Sequence, residues 1–205
     1  MKTLIQAILG LAIIILAFLL TRSIAQPIKF NREAETRANA AIERLIDIRK
    51  AQAAYKNING NYASSFDTLF EFIRSDSFEI QKITGTYDPD EMDEKEAINS
   101  GLVTVSSTMV SVKDSLFGGD NNIEIIKYVP YTQQEQFVMN AGNIETGSKV
   151  QVDVFEVYVL YETLLQGLDR QLVDNYINEK LKASGFPGLK IGSMTEATNN
   201  TGNWE

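Results

Sequence analysis

The stretch at residues 48–73, IRKAQAAYKNINGNYASSFDTLFEFI, predicts the end of one helix, a tight turn and the start of a second helix. Asn59 and Gly60 favour the left-handed backbone that closes a helix end. Ser64 or Ser65 can then cap a short second helix. The inward residues of that helix are expected to be Phe66, Leu69, Phe70 and Ile73. The joint thus separates a long helical segment from the domain that follows it.

Upstream of the joint, small and apolar residues recur every three or four positions, which is the period of one helix face. They are Ala34, Ala38, Ile42, Leu45, Ile46, Ala53 and Ile58. We therefore predict an amphipathic stalk helix over residues 26–58. Its narrow, alanine-rich face packs either on the chain's own domain or on neighbouring copies. Ala34, Ala38, Ile42, Leu45 and Ile46 form the candidate packing and assembly face.

Residues 4–20, LIQAILGLAIIILAFLL, are apolar except for Gln6 and Gly10. At about 1.5 Å per residue in a helix, this run just reaches across a hydrocarbon core of about 30 Å. We predict a membrane anchor over residues 1–25. A cleavable secretory signal is the alternative, because Lys2 precedes the run and Ser23-Ile24-Ala25 supplies a small-x-small ending. The run is longer than such signals usually have.

The orientation of the anchor has two opposing indications. Arg22, Lys29, Arg32 and Arg37 follow the run and only Lys2 precedes it, which by the positive-inside rule favours a cytoplasmic domain. A two-residue lead followed at once by an apolar run resembles a signal-anchor, which favours an exported domain. We expect an exported domain.

Composition excludes several classes of function. The 205 residues carry 19 basic and 27 acidic side chains, a formal net charge of -8, so a general attraction to nucleic acid is not expected. The chain has no cysteine and no histidine, which excludes disulfides, thiolate zinc sites and nucleophiles activated by histidine. Carboxylate, lysine and tyrosine chemistry remain. We expect no enzymatic activity and no cofactor.

After residue 75 the apolar period changes from helical to alternating, which predicts an α+β head domain over residues 59–191. Four strands are expected, at residues 103–112, 123–131, 137–141 and 150–159, in an antiparallel sheet. The alternation shifts phase at Val154-Phe155, which predicts a β-bulge. Gly118-Gly119-Asp120 is expected to be a hairpin turn.

The C-terminal part of the head returns to a helical period. A helix that begins at Glu162 and ends before Ser184-Gly185-Phe186-Pro187 is expected to cover one side of the sheet. A short strand is predicted at residues 189–191. Residues 192–205 read as a flexible tail.

The densest charge run, residues 88–96, holds six carboxylates in nine residues. Such a run could hold a hard cation, but it lacks the central glycine and distal glutamate of a helix-loop-helix calcium site. A solvated loop, or the acidic start of a short helix that runs to Asn99, is the favoured interpretation. No metal site is therefore predicted.

The N-terminal part of the chain combines a membrane helix that begins near Thr3-Leu4-Ile5-Gln6, a proline just beyond it, and the joint residues Ala51, Tyr55, Gly60 and Tyr62. In these features it resembles the type IV pilin and type II secretion pseudopilin superfamily. The resemblance covers roughly residues 1–75. Two features depart from the family pattern: no glycine precedes the anchor as a peptidase cleavage site, and Gln6 stands where the family has a glutamate.

The resemblance implies a structural subunit of a bacterial envelope assembly or secretion machine. Its partners would be the lipid bilayer and other membrane or envelope proteins, copies of itself included. Its location would be the bacterial inner membrane, crossed once, with the head in the periplasm. Without the glutamate, a minor or non-polymerising role is favoured. The alternative is a signal-anchored binding module whose head recognises a ligand, peptide or glycan.

Overall fold

The computed structural model describes residues 2–89, 92–118 and 122–205, an α+β arrangement with a long N-terminal helix and two small antiparallel sheets. Helix α1, Lys2–Asn59, has 58 residues and continues through Pro27. Proline lacks the N–H of a helical residue, so the helix loses one internal hydrogen bond there without ending. The anchor and stalk predicted from sequence form one continuous helix. Among the described residues, this is the one helix long and apolar enough to cross a membrane.

The two halves of α1 differ in their surroundings. In the second half, one face is buried against the rest of the chain, and its members are three or four residues apart. They are Phe30, Ala34, Ala38, Ala41, Leu45, Ile48 and Ala51. In the first half, the 18-residue apolar window is not buried at all.

A short helix and a two-stranded sheet follow α1. Helix α2, Phe66–Ser75, begins at Ser65, whose side chain accepts a hydrogen bond from the backbone N–H of Thr68, as predicted. Strands β1, Ser77–Gly85, and β2, Val103–Ser111, pair antiparallel with one unbroken register. Helix α3, Glu94–Asn99, lies between them in the chain. Strand β1 was not predicted from the sequence.

A three-stranded antiparallel sheet forms the centre of the head. Its strands are β3, Val138–Glu145, β4, Gln151–Leu160, and β5, Gly188–Gly192, in the order β3-β4-β5. Phe155, Val157 and Val159 alternate along β4 and are buried in the same core as the inner face of α1. The core of the head therefore lies between α1 and this sheet.

Two of the predicted elements between the sheets are wrong. Residues 123–131 were expected to be a strand, but Ile123–Lys127 is a 3-10 helix. Its buried residues, Ile123 and Ile126, are three positions apart, as the 3-10 period requires. Val112, expected at the end of a strand, begins helix α4, Val112–Phe117. Gly118 closes α4 in the left-handed conformation and is no hairpin turn, while Gly119 and Asp120 lie outside the described residues.

The predicted C-terminal helix is interrupted. Helix α5, Tyr161–Leu164, is a single turn, and α6, Arg170–Ser184, begins only after a bend. Gly167 takes a positive φ of 82° in that bend. The side chain of Asp169 then accepts a hydrogen bond from the backbone of Leu172 and caps α6. Gly167 and Asp169 are sequence signals for this break, but the helical period of the apolar residues continues across them and predicted one helix.

The β-bulge predicted at Val154-Phe155 is absent, because the β3–β4 register is uniform from Val138↔Tyr158 to Glu145↔Gln151. Both residues are buried because the sheet is covered on both faces there. Phe155 faces the ring of Tyr62 at 4.7 Å. On the other face, Gly142 lies opposite Val154, and a Cβ added to this glycine would be 3.2 Å from Met194 Cε.

Residues 192–205, expected to be a flexible tail, pack against the head. Gly202 forms a β-bridge with Ile191, and the backbone N–H of Asn203 donates to Lys190 O at 3.0 Å. The last residue, Glu205, pairs with Arg49 of α1 at 2.7 Å. Few apolar residues mark this segment, so its order comes from hydrogen bonds to β5 and α1 that local sequence does not show.

Candidate functional site

The first half of α1 is a bare apolar surface. Twelve large apolar side chains between Ile5 and Ile28 are each between 49% and 67% exposed. Full burial of such a side chain contributes about 1.5–3 kcal/mol, so their combined exposed area leaves on the order of 10–20 kcal/mol unrealised in water. The exposed apolar surface of this segment is much larger than the apolar patches that monomeric soluble proteins expose. The segment therefore requires an apolar environment, either lipid or protein.

The head begins where this bare surface ends. Gln26 Nε2 donates to Asp169 Oδ2 at 3.1 Å, and the ring of Phe30 meets Tyr176 edge-on at 6.0 Å. Tyr161 packs edge-on to Tyr176 at 5.2 Å, and burial raises the pKa of both phenols.

The bare residues from Ile5 to Ile28 span about 35 Å of helix. That length is sufficient for one bilayer crossing.

The candidate packing and assembly face lies mostly under the chain's own head. Ala34, Ala38 and Leu45 are buried in the core, and Ile42 packs partly buried against it. Ile46 is half-buried. Of the two interpretations of this face, packing on the chain's own domain is therefore the one that the structure shows. Ala34, Ala38 and Leu45 are not accessible to another subunit, so a contact between copies would have to use other residues.

The four joint residues come together where α1 meets the sheet. Ala51 is fully buried, and Tyr55 meets Phe72 of α2 edge-on at 5.1 Å. Gly60 has a φ of 80°, and its N–H donates to Lys56 O at 2.8 Å, which closes the helix as predicted.

Tyr62 connects the joint to both the sheet and the C-terminal segment. Its ring lies against Phe155, and its hydroxyl accepts a hydrogen bond from Asn200 Nδ2 at 2.7 Å. Lys56 Nζ lies 4.4 Å from the centre of the same ring, a cation–π distance. The joint is thus a packing centre shared by α1, the sheet and the C-terminal segment.

Gln52 is a further residue of the joint, which was not predicted from the sequence. It is fully buried, its Nε2 donates to Ala63 O at 2.8 Å, and its Oε1 accepts from Ala63 N at 2.9 Å. The amide thereby replaces a backbone partner for the loop after α1. Its position was a usable signal, because Gln52 follows Leu45 by seven residues and Ile48 by four, on the buried face.

One polar pocket lies between α1, β4 and the C-terminal segment. Its volume is about 230 Å³, and its lining includes Lys56, Tyr62, Thr198 and Asn200. The hydroxyl of Thr198 is buried and has no hydrogen-bond partner among the described residues. Pockets for small molecules usually have volumes of about 300–1,000 Å³, so this one fits only a small polar ligand.

The acidic run at residues 88–96 has a structural role in its second part. Asp93 caps α3 by accepting a hydrogen bond from the backbone of Glu96 at 2.8 Å, which confirms the predicted short helix up to Asn99. Asp90 and Glu91 lie outside the described residues. Within the described part, no three acidic side chains form a group that could hold a metal ion.

Comparison with known proteins adds no relative. No protein-family model, no curated protein and no solved structure matches the chain. The resemblance to pilins and pseudopilins accordingly rests on the residues of the anchor and the joint alone.

Proposed function

We propose that the protein is a membrane-anchored, pilin-like or pseudopilin-like structural subunit of a bacterial envelope assembly or secretion machine. The observation that carries the proposal is the divided character of α1. Its first half is an uncovered apolar helix, and the α+β head packs against the small side chains of its second half. A helix with one half exposed to lipid and the other half covered by the head suits a subunit that is anchored in a bilayer and presents its head outside the membrane.

The contacts between subunits would come from the bare part of the helix. A Cβ added to Gly10 would meet no other part of the described chain within 4 Å, and Ala17, seven residues further on, is exposed on the same side. Small residues let transmembrane helices approach closely, and such contacts hold helix pairs together where lipid provides no hydrophobic driving force. Gln6 is exposed and uncharged, so an ion pair from this position to a neighbour is not available. Because Gln6 stands where the family has a glutamate, we propose a minor or non-polymerising subunit.

We place the protein in the bacterial inner membrane, crossed once by α1, with the head in the periplasm. The support for one crossing is the single long apolar helix among the described residues. We propose the compartment and the side from the resemblance to the pilins.

The absence of cysteine makes a direct test possible. Single cysteines would be placed in turn at each position from Leu9 to Leu20, and native membranes would be oxidised before non-reducing electrophoresis. The proposal predicts disulfide-linked dimers, or links to a few membrane proteins, that peak every three to four positions around Gly10 and Ala17. Ser184→Cys, on the exposed part of α6, is the control that should remain monomeric. Uniform or absent cross-linking along the span would contradict assembly through this helix.

The polar pocket favours a second candidate, a signal-anchored binding module. That function predicts that a soluble chain beginning at residue 26 binds a small polar ligand as tightly as the full chain. Thr198→Val would then weaken binding, because its unpartnered hydroxyl lies at the pocket. The small volume favours the structural subunit over this alternative.

A further inference from the structure

Three basic residues follow the apolar run on the side of the head. Arg22, Lys29 and Arg32, here called the basic collar, are all exposed. Their surroundings in sequence are unusual for this acidic chain. Residues 1–32 contain four basic and no acidic residues, whereas residues 33–205 contain 15 basic and 27 acidic residues. The formal charge is therefore net positive in and beside the membrane segment and net negative in the rest of the chain.

The collar makes no ion pair within the part of the chain that the structure describes. Two carboxylates of this region, Glu33 and Asp169, are already engaged, and the exposed Glu35 makes no ion pair among the described residues. Glu33 pairs with Arg37 at 2.9 Å. Asp169 caps α6 with one carboxylate oxygen and accepts from Gln26 with the other. The three cations are thus available to an external anion.

The spacing of the collar places its charges on one side of α1. Lys29 follows Arg22 by seven residues and Arg32 follows Lys29 by three, separations that share a helix face. Along the helix axis, Lys29 lies about 10 Å and Arg32 about 15 Å beyond Arg22. Helical side chains lean toward the helix N-terminus, which here is the membrane side. All three long side chains can therefore reach the headgroup layer.

A groove beside the collar combines charge with apolar surface. Its volume is about 440 Å³, and it is lined by Phe18, Thr21, Arg22, Ala25, Gln26 and Lys29. Phe18 offers apolar contact on the bilayer side of both cations, and Ala25 lies between Arg22 and Lys29 along the helix. This is the chemistry of an anionic phospholipid, whose phosphate would lie between Arg22 and Lys29 and whose acyl chain would follow Phe18.

We propose that the basic collar binds anionic phospholipid headgroups on the side of the membrane that carries the head. The inference rests on the proposed membrane crossing by α1. The collar holds the anchor at a fixed depth and keeps the acidic head close to a surface that would otherwise repel it. Each basic side chain near an anionic surface strengthens attachment about fivefold, and salt weakens the effect.

The test uses the full-length protein in nanodiscs of equal phosphatidylglycerol and phosphatidylcholine. Native mass spectrometry of the protein released from the discs counts the lipids of each kind that remain bound. We expect phosphatidylglycerol to be enriched at least fivefold over phosphatidylcholine in the wild type. The triple variant Arg22→Gln, Lys29→Gln, Arg32→Gln should lose this enrichment.

A matched control removes the same charge elsewhere. Lys50→Gln, Lys149→Gln and Lys182→Gln change three exposed lysines of the second half of α1 and of the head. Enrichment that persists in this control supports the proposal. Equal retention of both lipids by the wild type, or equal enrichment in the collar variant, overturns it while leaving the anchor intact. A wild-type protein that fails to enter discs of any composition overturns the membrane anchor itself.

Discussion

Replacing Gln52 by methionine tests whether the buried amide fixes the joint between α1 and the head. The two side chains have similar length and shape, but methionine neither donates to Ala63 O nor accepts from Ala63 N. Both backbone groups are buried and would lose their partner at 2.8 Å and 2.9 Å. The substitution therefore removes both hydrogen bonds to Ala63, and the weaker one to Met139 Sδ at 3.4 Å, with little change in volume.

The magnitude follows from the two orphaned groups. A buried polar group left without a partner costs about 1–3 kcal/mol, and the more apolar methionine recovers about 1–2 kcal/mol of the combined penalty. We expect the free energy of unfolding to fall by about 2–4 kcal/mol. For a domain of this size, each kcal/mol lowers Tm by about 2–4 °C, so Tm should fall by about 4–16 °C.

Trp204 provides the assay, since it is the only tryptophan and packs against the core. Thermal unfolding of the full chain in detergent would be followed by its fluorescence. Gln171→Met, at an exposed position of α6, is the control and should shift Tm by no more than about 1 °C. A Gln52→Met protein whose stability lies within about 0.5 kcal/mol of wild type would refute the role given to the amide.

Three further predictions use the same fluorescence assay. Ala41→Leu should lower the free energy of unfolding by about 1–3 kcal/mol, because this residue is fully buried and a larger side chain overpacks the core; equal stability would show that the helix face is free. Ser65→Ala should cost about 1 kcal/mol through the lost cap of α2, whereas Ser64→Ala should have little effect; the reverse order would contradict the cap assignment. The hydrogen bond from Arg49 lowers the pKa of Glu205 below its ordinary value of 4.5. The contact between Glu205 and Arg49 should therefore stabilise the fold fully above pH 4.5 and weaken as the pH falls through the lowered pKa. Glu205→Gln should remove that acid transition, and an unchanged transition would assign it to another carboxylate.

Elements with strong local signals could be predicted from the sequence. The apolar run and the alanine-rich period both lie on α1, and the Asn-Gly turn and Ser65 mark the boundaries that the structure shows. Strands β2, β3 and β4 show alternation because one face of each contacts more of the protein than the other. Glycine at position 60 closes the helix without needing any distant partner.

Other elements depend on contacts that the sequence does not state. Ile123 and Ile126 bury themselves as a 3-10 turn, although an apolar run of this kind also suits a strand. The sequence did not decide which surface covers the alanine-rich face of α1, because the same small side chains can pack on the chain's own head or on a neighbour's helix. Only the packed structure shows that Ala34 and Ala38 are covered by their own domain.

Within this chain, the sequence alone determined the features that arise from neighbours along the backbone. Helix period, caps and the length of the apolar run act over a few residues, and no distant partner is needed to establish them. The tertiary structure decided which surfaces remain open. It covers the stalk face, orders the C-terminal segment through Tyr62, Lys190 and Arg49, and leaves the first half of α1 bare. These contacts join residues that are far apart in the sequence, up to 156 positions for Arg49 and Glu205, so a local pattern does not reveal them.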